Sequence, residues 1–254
     1  MGPPSLDSLV AKIRASAARD RAVLTALANA SGWPLPPSPP PPPAMRPLML
    51  TFVAFRVGDP LGQVAALVTL APLAGLIALG TWVVARRELH ALCALIGAVL
   101  NAALCVGLKE LAKEPRPAGA TLQDHGMPSN HAQTTTFLCA YAIIFLWHGC
   151  SMHHAALWKP AGTALAVLLA AAVGASRVYL GEHSSAQVAV GSAVGAAVGV
   201  AWYALFCAVL RPLLLPLLEH PLARYFYLRD ASRVADVMRQ AYEWHRAFAL
   251  TKAR

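Results

Sequence analysis

Five stretches of this chain run without a single Asp, Glu, Lys or Arg: Leu61–Ala85, Leu89–Leu108, Ala132–Trp147, Ala161–Ala175 and Ala186–Leu210. About 20 helical residues cross the hydrocarbon core of a bilayer, and the first, second and last runs reach that length. Ala132–Trp147 is shorter and opens on the polar Gln133, Thr134, Thr135 and Thr136; Ala161–Ala175 is short and rich in small residues. Leu48–Phe55 is too short to span. Charged residues are 13% of the chain and hydrophobic ones 57%, whereas a soluble domain carries about a quarter charged residues to solvate its surface. The runs therefore predict an all-α fold, a transmembrane helical bundle with about five spans. Gly191, Gly195 and Gly199 recur at a four-residue spacing in the last run, a stripe that lets another helix approach closely.

Around this core the sequence predicts three parts. Residues 1–47 form an N-terminal tail that is Ala-rich, carries Lys12, Arg14, Arg19 and Arg21, and ends in a Pro-rich linker containing the run Pro39–Pro43. Five consecutive prolines exclude helix and central strand and favour extended polyproline. The tail reads either as a targeting segment or as a surface-lying extension. Residues 48–218 form the membrane domain. Residues 219–254, with Arg224, Arg229, Arg233, Arg239, Arg246 and Lys252, form a basic C-terminal surface helix.

The formal net charge of +9 raises nucleic acid as a partner. The basic residues sit in short loops and tails between apolar runs, which suits membrane topology and anionic phosphate instead. No nucleic-acid partner and no protein partner is inferred. Cys93, Cys105, Cys139, Cys150 and Cys207 lie in or beside apolar runs with no CxxC spacing, so they read as small hydrophobes. No metal site is expected.

Span parity sorts the connecting loops into two sets. Arg86-Arg87, the segment His148 to Lys159 and the tail after Arg211 share one face; the loops Lys109–His131 and Arg177–Ser185 share the other. A basic tail faces the cytosol by the positive-inside tendency, which puts the second set on the luminal side; the basic N-terminus pulls against that orientation. The chemistry-bearing residues fall in the second set: Lys109 and Arg116, then Ser129, Asn130 and His131, then Arg177 and His183. Arg116 and Arg177 offer planar forks for phosphoryl oxygens, and Lys109 adds a point charge. Ser129-Asn130 reads as a helix N-cap, leaving amide groups aimed at an anion. Two imidazoles beside such cations suit attack on phosphorus by one and proton transfer by the other. Taken singly, each basic residue also reads as an anchor at the end of a span.

In order, Lys109-x6-Arg116-Pro117, Pro128-Ser129-x-His131 and Ser176-Arg177-x5-His183 resemble the signature of the type-2 phosphatidic acid phosphatase family, itself similar to the vanadium haloperoxidases. The resemblance spans about residues 48–245. Met127–Gln133, Ser176–Leu180, Ala186-Gln187-Val188 and Phe226–Ser232 look most like the dolichyl diphosphatase branch and its plant plastid relatives. The resemblance implies His183 as nucleophile through a phosphohistidine and His131 as general acid, then base. Lys109, Arg116, Arg177, Ser129 and the Asn130 amide would hold the phosphoryl group, with no metal and no cofactor. This sequence departs from the broad family at Asn130, where Gly is usual, and at Gln187, where most members orient the nucleophile with Asp. An amide oxygen there can still fix the imidazole tautomer, so Gln187 is the orienting candidate; the direction of Glu182 is open.

The implied substrate is a polyprenyl lipid diphosphate, namely dolichyl diphosphate cleaved to dolichyl phosphate in recycling the N-glycosylation carrier. The implied setting is the endoplasmic reticulum membrane, with a luminal site. The alternatives are a plastid envelope phosphatidate phosphatase making diacylglycerol and, in another class, a non-catalytic lipid or anion binder.

Overall fold

The computed structural model describes residues 23, 45–48, 53–149, 155–232, 234 and 236–252. The possible targeting segment and nearly all of the Pro-rich linker lie outside the described residues, as does Cys150. The chain divides into two compact units, Met1–Pro43 and Ala44–Arg254, and the elements below belong to the second. A short antiparallel ribbon pairs β1 (Met45–Leu48) with β2 (Val53–Arg56), with Met45 opposite Arg56. Every element after it is helical.

The first span is two helices, α1 (Pro60–Val68) and α2 (Ala71–Arg86). Asp59 starts α1 by accepting from the Gly62 amide at 2.9 Å, with Pro60 in the first turn, where a missing N–H costs nothing. Pro72 resets the helix because it cannot donate to the residue four before it. Together Pro60–Arg86 is long and apolar enough to cross a membrane. Arg87, at φ 53°, ends α2.

α3 (Leu89–Ala112) and α6 (Ser185–Leu205) follow the sequence closely, whereas α5 (Ala155–Tyr179) outruns the short stretch Ala161–Ala175 at both ends, taking in Lys159 and Pro160; all three coincide with segments of spanning length and hydropathy. α3 runs one turn past Leu108, because Lys109-Glu110-Leu111-Ala112 are good helix formers; left-handed Lys113 stops it ahead of Pro115. α5 takes Arg177 into its last turn. α4 (Asn130–Ile144), extended by a π-turn over Phe145–Gly149, is the exception. Among the described residues four segments satisfy the length and hydropathy of a span, and α4 is not among them. Its first turns carry Gln133, Thr134 and Thr135, all buried against neighbouring helices.

The glycine stripe finds its partner in α4. Gly191, Gly195 and Gly199 are buried on α6, and a Cβ on Gly191 would stand 2.7 Å from the Ser129 carbonyl, one on Gly199 2.8 Å from that of Phe137. The α6 backbone thus lies directly on the α4 backbone, the close approach that small residues permit. Gln133 reinforces the bundle by donating from Nε2 to the Asn101 carbonyl on α3 at 3.0 Å.

Beyond α6 a π-turn (Phe206–Leu210) leads into α7 (Arg211–Leu214), a 3-10 turn (Pro216–Glu219) and α8 (Pro221–Tyr225). The tail then clasps the α2–α3 turn: the Leu89 amide donates to the Arg229 carbonyl at 2.9 Å, and the Arg229 amide to that of Arg87 at 3.0 Å. The C-terminal helix α9 spans Val237–Lys252, so residues 219–254 hold two helices and a clasp.

Candidate active site

Three helix ends build the site. α3 delivers Lys109, α4 opens with Ser129, Asn130 and His131, and the turn from α5 to α6 carries Arg177, Glu182 and His183. That turn is closely specified. Gly181, at φ 73°, supplies the left-handed step that ends α5. The amides of both Glu182 and His183 then donate to the Arg177 carbonyl, at 3.1 and 3.2 Å. Ser184 caps α6 in a reciprocal box: its hydroxyl accepts from the Gln187 amide, and the Gln187 Oε1 accepts from the Ser184 amide, each at 3.2 Å.

The orientation of His183 follows from Gln187. Gln187 Nε2 donates to Glu114 Oε1 at 2.9 Å and to the Pro115 carbonyl at 2.8 Å. Both donors of the amide are spent on acceptors, so Oε1 faces the other way, 3.2 Å from His183 Nδ1. The Gly126 carbonyl stands 3.0 Å from the same nitrogen. Two acceptors at Nδ1 place the proton there and leave the lone pair on Nε2. Nε2 meets a donor, Arg116 Nη1, at 3.0 Å. Burial, then the charges of Arg116 and Arg177, lower the His183 pKa to about 4, against the raising effect of the Gln187 hydrogen bond. His183 is therefore a neutral base at physiological pH.

His131 stands at the mouth of α4, ahead of its apolar part. Burial, followed by the charges of Arg177, His183, Arg116 and Lys109, lowers its pKa to about 3. Those four neighbours are the groups that the sequence placed on the same face, so the structure brings both imidazoles and all three cations into one cluster.

Arg116 donates from Nε to Asp124 Oδ1 at 2.7 Å and from Nη1 to the Glu182 carbonyl at 3.0 Å. Lys109 Nζ donates to Asp124 Oδ2 at 2.7 Å. Partial burial works against ionisation of Asp124, but the hydrogen bonds from Arg116 and Lys109 prevail and hold its pKa at about 2. Arg177 is 3% exposed, and its Nε and Nη1 have no hydrogen-bond partner. The buried Ser129 hydroxyl is likewise unpartnered. Ser129 occupies the N-cap position of α4 as expected, but its side chain makes no capping bond. Orphaned buried donors of this kind need an acceptor, and phosphoryl oxygens fit both.

Glu182 points away from His183 Nδ1. Its Oε1 accepts from the Thr121 hydroxyl and amide, and its Oε2 lies 3.7 Å from both Arg116 Nη1 and Arg177 Nη2. The sequence did not point to Asp124, Glu114, Gly126 or Thr121: a carboxylate or glycine in an irregular loop carries no periodic signal. Ser184-x-x-Gln187 is a readable capping box, although its second contact, to His183, is not. Among the described residues no group of three or more His, Cys, Asp or Glu is placed to hold a metal ion.

A cavity of about 480 Å³, lined by Lys109, Asp124, His125 and Asn130 among others, adjoins this cluster. A larger one, about 620 Å³, is lined by Trp82, Glu88, His90 and Phe145 and holds none of the cluster's cations. It lies at the other end of α3, about 29 Å from Lys109 at 1.5 Å per residue.

The PAP2 superfamily pattern matches residues 90–210. Dolichyldiphosphatase 1 of Homo sapiens is 32% identical over 220 residues, covering 82% of this chain and 92% of that protein. Lipid phosphate phosphatase gamma of Arabidopsis thaliana is 33% identical over 210 residues, covering 80% and 92%. Among solved structures, a transmembrane PAP2-type phosphatidylglycerolphosphate phosphatase from Bacillus subtilis superposes with a TM-score of 0.51 at 22% identity. The match covers 60% of this chain and 80% of that one, a likeness of fold.

Proposed function

The chain belongs to the PAP2 superfamily and is an integral membrane lipid phosphatase, and from that premise we propose that it converts a polyprenyl diphosphate, dolichyl diphosphate, to the monophosphate through a phosphohistidine. The reading rests on one observation above all: His183 Nδ1 is fixed by the Gly126 carbonyl and Gln187 Oε1 while Nε2 faces Arg116. The choice of a dolichyl chain comes from the similarity to dolichyldiphosphatases, over 92% of the human protein's length.

In the proposed reaction the Nε2 lone pair of His183 attacks the terminal phosphorus. The bond from that phosphorus to the bridging oxygen breaks, its electron pair stays on the leaving lipid monophosphate, and protonated His131 supplies the proton. Phosphorylation makes the His183 ring cationic, and the Nδ1 proton is shared with the Gly126 and Gln187 oxygens. His131, now neutral, takes a proton from water as the oxygen attacks phosphorus; the P–N bond breaks, its electrons return to Nε2, and orthophosphate leaves. Lys109, Arg116, Arg177, Ser129 and the Asn130 amide hold the phosphoryl oxygens, as preorganised donors do for developing charge.

His131 is neutral in the empty site, so its acid form depends on the ligand. A bound diphosphate brings negative charge beside the ring, offsets the three cations and raises the pKa. Substrate thus arms its own acid.

The proposed setting is the endoplasmic reticulum with a luminal site, where the product re-enters glycan assembly. The similarity to Arabidopsis lipid phosphate phosphatases, one of them chloroplastic, favours a second reading: a phosphatidate phosphatase of the plastid envelope. Phosphate release from dolichyl diphosphate, a short prenyl diphosphate and phosphatidate, at equal surface density in detergent, separates the two. Preference for dolichyl diphosphate is expected; preference for phosphatidate establishes the second reading.

A further inference from the structure

We infer that Asp124 occupies the phosphoryl-binding position of Lys109 and Arg116 and must be displaced by the headgroup, which makes it the residue that sets how much negative charge a substrate needs. This rests on the site assigned above. The two oxygens of Asp124 take one hydrogen bond each, from Lys109 Nζ and Arg116 Nε, both 2.7 Å long. Those are the lengths and donors that two phosphoryl oxygens would use. The cations are largely enclosed, with side-chain exposures of 13% and 6%, while Asp124 is 51% exposed. Asp124 also lines the cavity beside Lys109, whereas His183 is 2% exposed behind Arg116. A headgroup entering from the cavity meets the carboxylate first.

The same contact governs the nucleophile. Arg116 is held by Asp124 on one side and the Glu182 carbonyl on the other, and in that position its Nη1 donates to His183 Nε2. The lone pair that must reach phosphorus is capped while Asp124 stays in place. An incoming phosphoryl group that takes over Lys109 and Arg116 removes the tie from Asp124 and draws the guanidinium off the ring. The exchange favours the ligand only if its charge on the two cations exceeds that of a carboxylate. A diphosphate or a phosphate dianion meets that condition, and a singly charged head does not. The carboxylate thus sets a threshold: it lowers the affinity of every head by the same factor, and only a strongly charged head keeps enough binding to displace it. With a pKa of about 2, Asp124 keeps its charge throughout the physiological range.

The test uses the full-length chain in detergent, comparing wild type with Asp124→Asn and Asp124→Ser. Inorganic phosphate and inorganic diphosphate are the probes. The readouts are inhibition of lipid diphosphate hydrolysis and, independent of turnover, the shift in Tm that each anion produces. Displacement predicts that both substitutions tighten orthophosphate and diphosphate by the same factor, at least tenfold, because each anion is relieved of the same cost. The kcat/KM values for lipid diphosphate and lipid monophosphate should rise together, leaving their ratio unchanged. A carboxylate that merely organises its loop predicts the opposite sign, weaker anion binding and a higher KM; that result, or no change, overturns the inference. Wild type that hydrolyses no lipid phosphate would defeat the assigned activity instead, while the anion-induced Tm shifts would still decide the role of Asp124.

Discussion

His183 is oriented through an amide whose own direction is set by a second acid. Gln187 replaces the carboxylate expected behind the nucleophile, and Glu114 stands one hydrogen bond further back. A Gln187→Glu change would place two carboxylates at the present 2.9 Å contact, and like charges that close repel strongly. Gln187→Glu alone should lower Tm and activity together, and adding Glu114→Gln should restore much of both, because the new amide can donate to the new carboxylate. A double-mutant cycle in Tm checks this, and additive losses would show that the two side chains do not communicate. His183→Ala should abolish phosphate release while lipid diphosphate still binds, because Lys109, Arg116 and Arg177 remain; a turning-over variant would take His183 out of the nucleophile role. The pKa values give a third test. With His183 at about 4 and His131 at about 3 in the empty site, His183 stays unprotonated above about pH 4. Charge from the substrate raises His131, so the alkaline limb of kcat should lie at least a full pH unit above that of kcat/KM. Coincident limbs would exclude His131 as the acid.

The contact of α4 with α6 carries the geometry of the site, since His131 opens one helix and His183 immediately precedes the other. Gly191 touches the Ser129 carbonyl, so Gly191→Ala pushes on the turn that presents His131. Overpacking of this kind costs about 1–3 kcal/mol, and activity should fall more than the Tm shift alone explains. Gly107→Ala, on the exposed face of α3 with nothing within 4 Å of a Cβ, is the neutral control. If both variants behave alike, the close approach does not set the site. Much of this level is legible beforehand: uncharged runs mark the helices and the glycine spacing marks a contact face, although the break between α1 and α2 interrupts a run that reads as one span. The partner of that face is not legible, because periodicity names a surface and never what covers it. Asp124 and Glu182 escape for a different reason, since a carboxylate in a loop acquires meaning only from cations brought beside it by distant segments.

For the whole molecule, the proposed reaction has the cations of one face take the place that a divalent ion fills in other phosphoryl-transfer enzymes. Turnover should therefore survive EDTA; loss on chelation with recovery on adding Mg²⁺ would contradict this. The opposite face has its own construction, with Glu88 buried between Arg86 and Arg229 and Asp230 held by Arg211 at 2.8 Å. Among the described residues the two faces are joined through the helices, so changes to the tail clasp should alter stability without altering headgroup choice.

The amides of Glu182 and His183 both close on the carbonyl of Arg177. In the proposed reaction the clamp and the attacking ring therefore form one jaw whose internal spacing is set by backbone hydrogen bonds. Accommodation of differently shaped heads falls to the opposing jaw, the irregular stretch from Lys113 to Ser129. New preferences can be written there, residue by residue, while the chemistry stays where it is.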